Sequence, residues 1–342
     1  MLGPKTAQRW QRTLQRAVEL TGVGLHSGKD VRIRLAPPAA AVSCSAHRKH
    51  GDGAISFRRR GREPILADAT ALDPSKSMLC TQLRARDDSW RVSTVEHLMA
   101  ALVAACVTDV DVDIIEPKPL DCVVELPILD GSALPFVRAI QEAGVRILEN
   151  QMPARWLRVQ RPVQVMMQDK AAWFLPMPTG IPCVDSPTLH MSVQVNFAHK
   201  GLGSRVFQFS LTGDADANLR AFEEQVAPAR TFTFEDEIAW MQANNLALGG
   251  SLGNAIVFAQ QKQDETSAWR VLNPEGLRFP EDEWVRHKML DCIGDLGLVG
   301  MPVHGYFFST SPGHALTHCL IEELFADPTN YTIEQAIEDT IT

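Results

Sequence analysis

Residues 93–115 read STVEHLMAALVAACVTDVDVDII. Two periodicities meet in this stretch. Over 94–106 the apolar residues Val95, Leu98, Met99, Leu102, Val103 and Cys106 follow the i, i+3, i+4, i+7 spacing of an amphipathic helix. Ser93 followed by Glu96 has the spacing of a capping box, so a helix over 94–106 is predicted. From Asp109 to Ile115, Val110, Val112 and Ile114 alternate with aspartates, the period-two pattern of a strand. A second helical stretch follows near 135–144.

The same order recurs later. A helix over about 282–297 precedes an apolar strand at 303–308, and a helix follows over about 314–325. Helix–strand–helix in both halves predicts an α+β chain with two domains of similar architecture. The polar, proline-ended ENQMP at 149–153 reads as the linker, dividing the chain into 1–150 and 151–342. Residues 30–35 add an alternating strand. The Arg- and Gly-rich stretch 47–61 reads as a loop or hairpin.

The chain has 342 residues, enough for about two domains and large cores without staples. A net charge of -8 argues against nucleic acid as a partner, since such proteins need basic surface. Seven cysteines, an odd number with no CxxC pair, favour a reducing compartment over a disulfide framework. The basic N-terminus has no apolar h-region and no apolar run reaches bilayer length. The expectation is a cytoplasmic protein with no transmembrane segment, open to transient contact with a membrane surface.

The strongest chemical signal is VRHKMLDCIGD at 285–295. At 100° per residue, His287, Asp291 and Asp295 share one narrow stripe. Val285, Met289, Cys292, Ile293 and Leu296 lie opposite. His and Asp one turn apart can chelate one ion. A solvated face explains the stripe equally well by residue type. Glu96-His97 is the second signal; the capping box accounts for Glu96, and an exposed ring accounts for His97. Two histidines and an aspartate would form a three-ligand zinc site with an open fourth position. An adjacent carboxylate can act as general base there. His314 stands at a predicted helix start after Gly313. Thr231, in ARTF at 229–232, could donate to an oxyanion. Leu246–Ser251 reads as a glycine turn before a buried strand, or as the lining of a channel for a chain-like ligand.

Taken in order, these motifs resemble the family of UDP-3-O-acyl-N-acetylglucosamine deacetylases, zinc hydrolases of lipid A synthesis. The resemblance runs from about Gln11 to Phe325. TGVGLHSG at 21–28, MLCT at 78–81, STVEHLMAAL at 93–102 and LPILDGSALPFV at 126–137 carry it in the first half. ARTF, LALGGS at 246–251, LNPEGLRF at 272–279, VRHKMLDCIGD and GHAL at 313–316 carry it in the second.

The resemblance implies zinc held by His97, His287 and Asp291; by ligand type, Fe2+ suits the same set. It implies Glu96 as the base toward the attacking water, and His314 as general acid steadied by Asp295. Thr231 would hold the oxyanion. Lys288 and His26 would lie near the nucleotide or its diphosphate, and Phe232 against the sugar. Leu79, Ile238, Ala247, Gly250, Ser251 and Val257 would line the passage for the hydroxyacyl chain. The implied fold is a β-α-α-β sandwich of two domains, each with a small insert. The implied partner is a small acylated UDP-sugar bound by a monomer. Against the family pattern, Ser311 and Pro312 replace a basic residue, Thr233 stands where glycine is common, and Gly253 replaces an acidic or polar residue. Residues 260–268 read as an insertion. A deacetylase of another N-acetylated sugar is the alternative within the same metal chemistry, and a weakly catalytic binder of acylated sugar nucleotide is the alternative from another class.

Overall fold

The structure is a computed structural model, and its described residues are 10–38, 54–73, 77, 79–115, 122–148, 153–178, 187–197, 202–260 and 269–336. Two mixed sheets organise it, and they repeat one topology. In the first, Asp109–Ile115 is central. It pairs antiparallel with Asp30–Ala36, which continues antiparallel to Val18–Val23. On its other side Ala54–Arg59 runs parallel to it and pairs antiparallel with Ile65–Leu66. In the second sheet Val303–Thr310 takes the central place. It pairs antiparallel with Lys170–Leu175 and, beyond that, Val163–Met167. On its other side come parallel Leu189–Phe197 and antiparallel Gly203–Leu211. Arg155–Val159 and Tyr331–Gln335 extend this second sheet.

Six helices accompany the sheets among the described residues. We label them α1 (Glu96–Ala104), α2 (Leu134–Ala143), α3 (Ala215–Gln225), α4 (Glu235–Ala243), α5 (Glu283–Leu296) and α6 (His314–Ala326). Each central strand lies between two of them in sequence: α1 and α2 in the first half, α5 and α6 in the second. Helix α2 packs on the first sheet, while α5 and α6 pack on the second. Helices α1 and α5 pack on each other, completing β-α-α-β layers. Their approach is close because Gly294 has no side chain. A Cβ there would stand 2.0 Å from the Glu96 carbonyl oxygen. Small sheets are added to both halves: Gln82–Arg84 with Arg91–Ser93 and Val123–Glu125, and Phe232–Phe234 with Ile256–Gln260 and Trp269–Val271. Among the described residues, no helix is long and apolar enough to cross a membrane.

Three sequence expectations change here. Ala54–Arg59, in the stretch expected as loop or hairpin, is no loop but an inner strand that turns back antiparallel onto Ile65–Leu66 as a hairpin; Ala54, Ser56, Phe57 and Arg59 are buried. The charged residues misled the reading. Ser56 donates to Asp111 at 2.7 Å and Arg58 pairs with it at 2.5 Å, so polar groups satisfy one another across the strands. Residues 47–53 lie outside the described residues, as do 149–152 of the linker and 261–268 of the expected insertion. The first helix begins at Glu96, and no capping box forms. Thr94 takes a left-handed φ of 57°, which breaks the geometry that Ser93 would need. Finally, neither chemical stripe is solvated, because each polar face is buried in the seam between α1 and α5.

Candidate metal and acid–base centre

Helix α1 contributes Glu96 and His97, each 3% exposed. Helix α5 contributes His287, Asp291 and Asp295, all buried. The crossing at Gly294 brings the two sets together. Ligand atoms of His97, His287 and Asp291 all lie within 4.8 Å of one another. Asp291 Oδ1 is 3.4 Å from His287 Nε2 and 3.8 Å from His97 Nε2. The two rings meet edge to face with centroids 5.1 Å apart. Donors about 2.0–2.1 Å from a tetrahedral ion stand roughly 3.4 Å from each other. The observed spacing therefore leaves room for an ion and is too long for strong hydrogen bonds.

The electrostatics suit metal ligation. Burial, with help from His287, pushes the His97 ring down to about 3, so it is neutral at physiological pH. Burial also lowers His287. Its Nδ1 donates to the Ala229 carbonyl at 3.0 Å, which leaves the Nε2 lone pair free. Burial alone would raise Asp291, but Lys288 and then His287 outweigh it and hold the carboxylate ionised. Lys288 Nζ donates to Asp291 Oδ2 at 2.9 Å, leaving Oδ1 to face the two rings. Two neutral imidazoles and one carboxylate form a donor set that fits a divalent cation.

A second pair sits beside this set. Glu96 Oε1 lies 3.8 Å from His314 Nε2, and Glu96 Oε2 accepts from the Thr81 backbone N–H at 3.1 Å. Burial, reinforced by Asp291 and Asp295, lifts the Glu96 carboxyl to about 8. A cation at the neighbouring ligands would pull it back toward the carboxylate range. His314 is buried at the start of α6, not exposed as a helix-start histidine usually is. Its Nδ1 donates to Asp295 Oδ2 at 2.9 Å. Burial would lower this ring, yet Asp295 first and then Glu96 raise it to about 9. The arrangement thus holds a buried carboxyl and a buried, proton-retaining imidazole face to face.

The segment 229–232 is fastened beside these groups by a buried ion pair. Arg230 Nε donates to Glu283 Oε1 at 2.9 Å, and the Arg230 backbone N–H donates to the same oxygen at 3.1 Å. Glu283 begins α5, one turn before His287. Ala229 thereby offers its carbonyl to His287, and Phe232 lies with its ring centroid 6.4 Å from that imidazole. Thr231 sits between them, its N–H donating to Gly131 at 2.8 Å. Lys288 Nζ lies 5.7 Å over the Phe232 ring.

His26 belongs to a loop docked on Glu125. Its N–H and that of Ser27 donate to Glu125 at 2.8 and 2.7 Å. Its Nδ1 accepts from Ala247 N–H at 3.4 Å, and its Nε2 is buried without a partner among the described residues. This loop meets the 246–251 turn at Gly249, where a Cβ would lie 2.2 Å from the Gly24 carbonyl. That turn precedes Ile256–Gln260, whose Val257 pairs with Thr233 and is buried. Ile238 is half-buried on α4, which packs on both neighbouring strands of the small sheet. Gly250 and Ser251 are exposed in the turn, Ala247 half-buried, and Leu79 is an exposed residue of the first half. No side chain of α4 is fully buried, and Trp240, Leu248 and Leu252 add exposed apolar surface to this insert. Ser311 takes a left-handed φ of 50° just ahead of His314, and Gly253 faces open space apart from the Ser251 hydroxyl.

Sequence reasoning missed Thr81, Glu125 and His318 as parts of the centre. His318 was readable in principle, one helical turn after His314. Thr81 and Glu125 reach the site through tertiary packing and carry no spacing signal.

A sequence profile for UDP-3-O-acyl N-acetylglycosamine deacetylases matches residues 11–326. A protein of Anaeromyxobacter dehalogenans named UDP-3-O-acyl-N-acetylglucosamine deacetylase is 42% identical over 331 residues, covering 94% of this chain and 90% of its own length. Proteins of the same name from Vibrio parahaemolyticus and Neisseria meningitidis are 37% and 36% identical. These alignments cover 93% and 94% of this chain, and 90% and 92% of the relatives.

Proposed function

The chain belongs to the UDP-3-O-acyl N-acetylglycosamine deacetylase family, and from that membership we propose that it hydrolyses the N-acetyl group of UDP-3-O-(3-hydroxyacyl)-N-acetylglucosamine in lipid A synthesis. The observation that carries this reading is the convergence of His97, His287 and Asp291 beside the Glu96–His314 pair. A divalent cation, which we assign as zinc with Fe2+ compatible, supplies Lewis acidity toward the amide carbonyl and the attacking water. The residues of the chain do the rest. Glu96 takes a proton from the water as its oxygen adds to the carbonyl carbon. The Thr231 hydroxyl donates to the resulting oxyanion. His314 Nε2 gives a proton to the departing nitrogen as the C–N bond breaks. Acetate and a free 2-amino sugar nucleotide result.

The remaining assignments rest on the family membership. Asp295 holds the charge of His314 in place. Phe232 packs against the sugar. Lys288 and His26 bracket the nucleotide end. Leu79, Ile238, Ala247, Gly250, Ser251 and Val257 take the hydroxyacyl chain, a role suited to the half-exposed apolar surface of the small sheet and α4. We assign residues 1–150 and 151–342 as the two domains. Among the described strands, only the single bridge Trp10–Pro153 crosses that division. The protein acts as a cytoplasmic monomer that meets a lipid-bearing substrate, with transient membrane-surface contact. Acetate release from the UDP-linked acyl sugar, set against simple N-acetyl sugars, tests the reading. Turnover of the UDP-linked acyl sugar is expected; equal or better turnover of the simple sugars would reassign the substrate.

A further inference from the structure

Beneath the His314–Asp295 pair lie two side chains that the deacetylase reading does not use, Thr81 and His318. Asp295 gives Oδ2 to His314 Nδ1, while its Oδ1 accepts from the Thr81 hydroxyl. The same hydroxyl oxygen stands 3.2 Å from His314 Nδ1 and 3.2 Å from His318 Nε2. His318 Nε2 lies 3.5 Å from Asp295 Oδ1. Thr81 and His318 have no exposed surface, and Asp295 almost none.

Counting protons fixes the direction of these bonds. A hydroxyl has one proton and two acceptor lone pairs, and an ionised carboxylate only accepts. The proton of Thr81 therefore goes to Asp295. Its oxygen then accepts from His318, which carries a proton on Nε2, since the one Nδ1–H of His314 is already donated to Asp295. His318 Nδ1 is buried without a partner among the described residues. A proton there would be an unpaired N–H in the interior, which costs about 1–3 kcal/mol. The hydrogen-bond pattern thus assigns the Nε2–H tautomer to His318.

Resting on the deacetylase reading, we propose that His318 and Thr81 are positioning residues. The chain from His318 Nε2–H through Thr81 Oγ1–H to Asp295 orients the carboxylate. That orientation keeps His314 protonated on Nδ1 and turns its Nε2 toward Glu96. Simple packing is the rival explanation, and conservative variants separate the two. Thr81→Val keeps the shape and loses the hydroxyl, while Thr81→Ser keeps the hydroxyl. His318→Leu loses the N–H donor, while His318→Gln keeps one at similar reach.

Thr81→Val and His318→Leu are expected to lower kcat by roughly 10–100-fold, as outer-shell losses typically do, with KM within about 2-fold. Thr81→Ser and His318→Gln are expected to recover most of that loss. Folded Thr81→Val and His318→Leu variants with wild-type kcat would overturn the proposal, as would failure of both conservative variants to recover activity. Nitrogen NMR of histidine-labelled wild-type protein needs no variant. It should find His318 as the neutral Nε2–H tautomer, and an Nδ1–H or doubly protonated ring would overturn the proposal. A wild type that releases no acetate would refute the deacetylase reading instead, leaving the tautomer measurement to judge the relay.

Discussion

Glu96 and His314 face each other at 3.8 Å, both buried, and the proposed reaction needs them in opposite protonation states. Glu96→Gln keeps the shape and removes the base. We expect kcat to fall by roughly 10²–10⁴-fold in an acetate-release assay, the usual worth of a positioned base. His314 holds its proton to about 9 chiefly because Asp295 outweighs the cost of burial. The protonated form is the acid, so activity is lost as pH rises through the pKa of His314. Asp295→Asn removes the largest raising influence, so that pKa must fall. The alkaline limb of kcat against pH should move to lower pH; an unmoved limb would contradict the role given to Asp295. At this scale the sequence was half legible. Residue types and the i, i+4 spacing of His287 and Asp291 could be read directly. Their burial could not, because it depends on a helix from the other half of the chain.

Helices α1 and α5 carry all three proposed ligands, so their separation sets the spacing of the donor atoms. Gly294 stands at their crossing. Alanine in a helix interior gains about 1 kcal/mol over glycine from intrinsic propensity. Here the added carbon would meet a backbone carbonyl at 2.0 Å, which cannot move without parting the helices. Overpacking of this kind costs typically 1–3 kcal/mol, so the clash outweighs the propensity gain. We expect Gly294→Ala to lower the melting temperature and weaken zinc binding together. Gly253→Ala, whose Cβ would meet nothing nearer than the Ser251 hydroxyl at 3.6 Å, should leave both nearly unchanged. A Gly294→Ala protein with wild-type melting and zinc affinity would contradict this account of the crossing. Helix and strand periods were well expressed in the sequence at these elements. The start of α1 was misread because a left-handed Thr94 is a tertiary choice. Its hydroxyl donates to Glu125 at 3.0 Å, a contact across the chain that goes with the pairing of Val123–Glu125 and Arg91–Ser93.

At the scale of the whole molecule, two sheets of one topology are joined through their helices, and the proposed metal ties the halves together. The buried apolar side chains of both halves form one connected cluster. The repeat of helix–strand–helix was visible in the sequence. The strand Ala54–Arg59 was not, because its charged side chains find partners only across the sheet. An ion that binds only the folded chain adds about 2.7 kcal/mol at a hundred times its dissociation constant. Zinc should therefore raise the melting temperature by roughly 4 °C for a chain of this size, and a chelator should reverse the gain. His97→Ala should abolish that zinc-dependent increment; a full increment in this variant would remove His97 from the ligand set.

The most direct test of the central claim joins metal analysis to turnover in a single preparation. Purified protein should hold about one divalent ion per chain. It should release acetate from UDP-3-O-(3-hydroxyacyl)-N-acetylglucosamine, lose that activity on chelation and regain it when zinc returns. Full acetate release from rigorously metal-free protein would contradict the account.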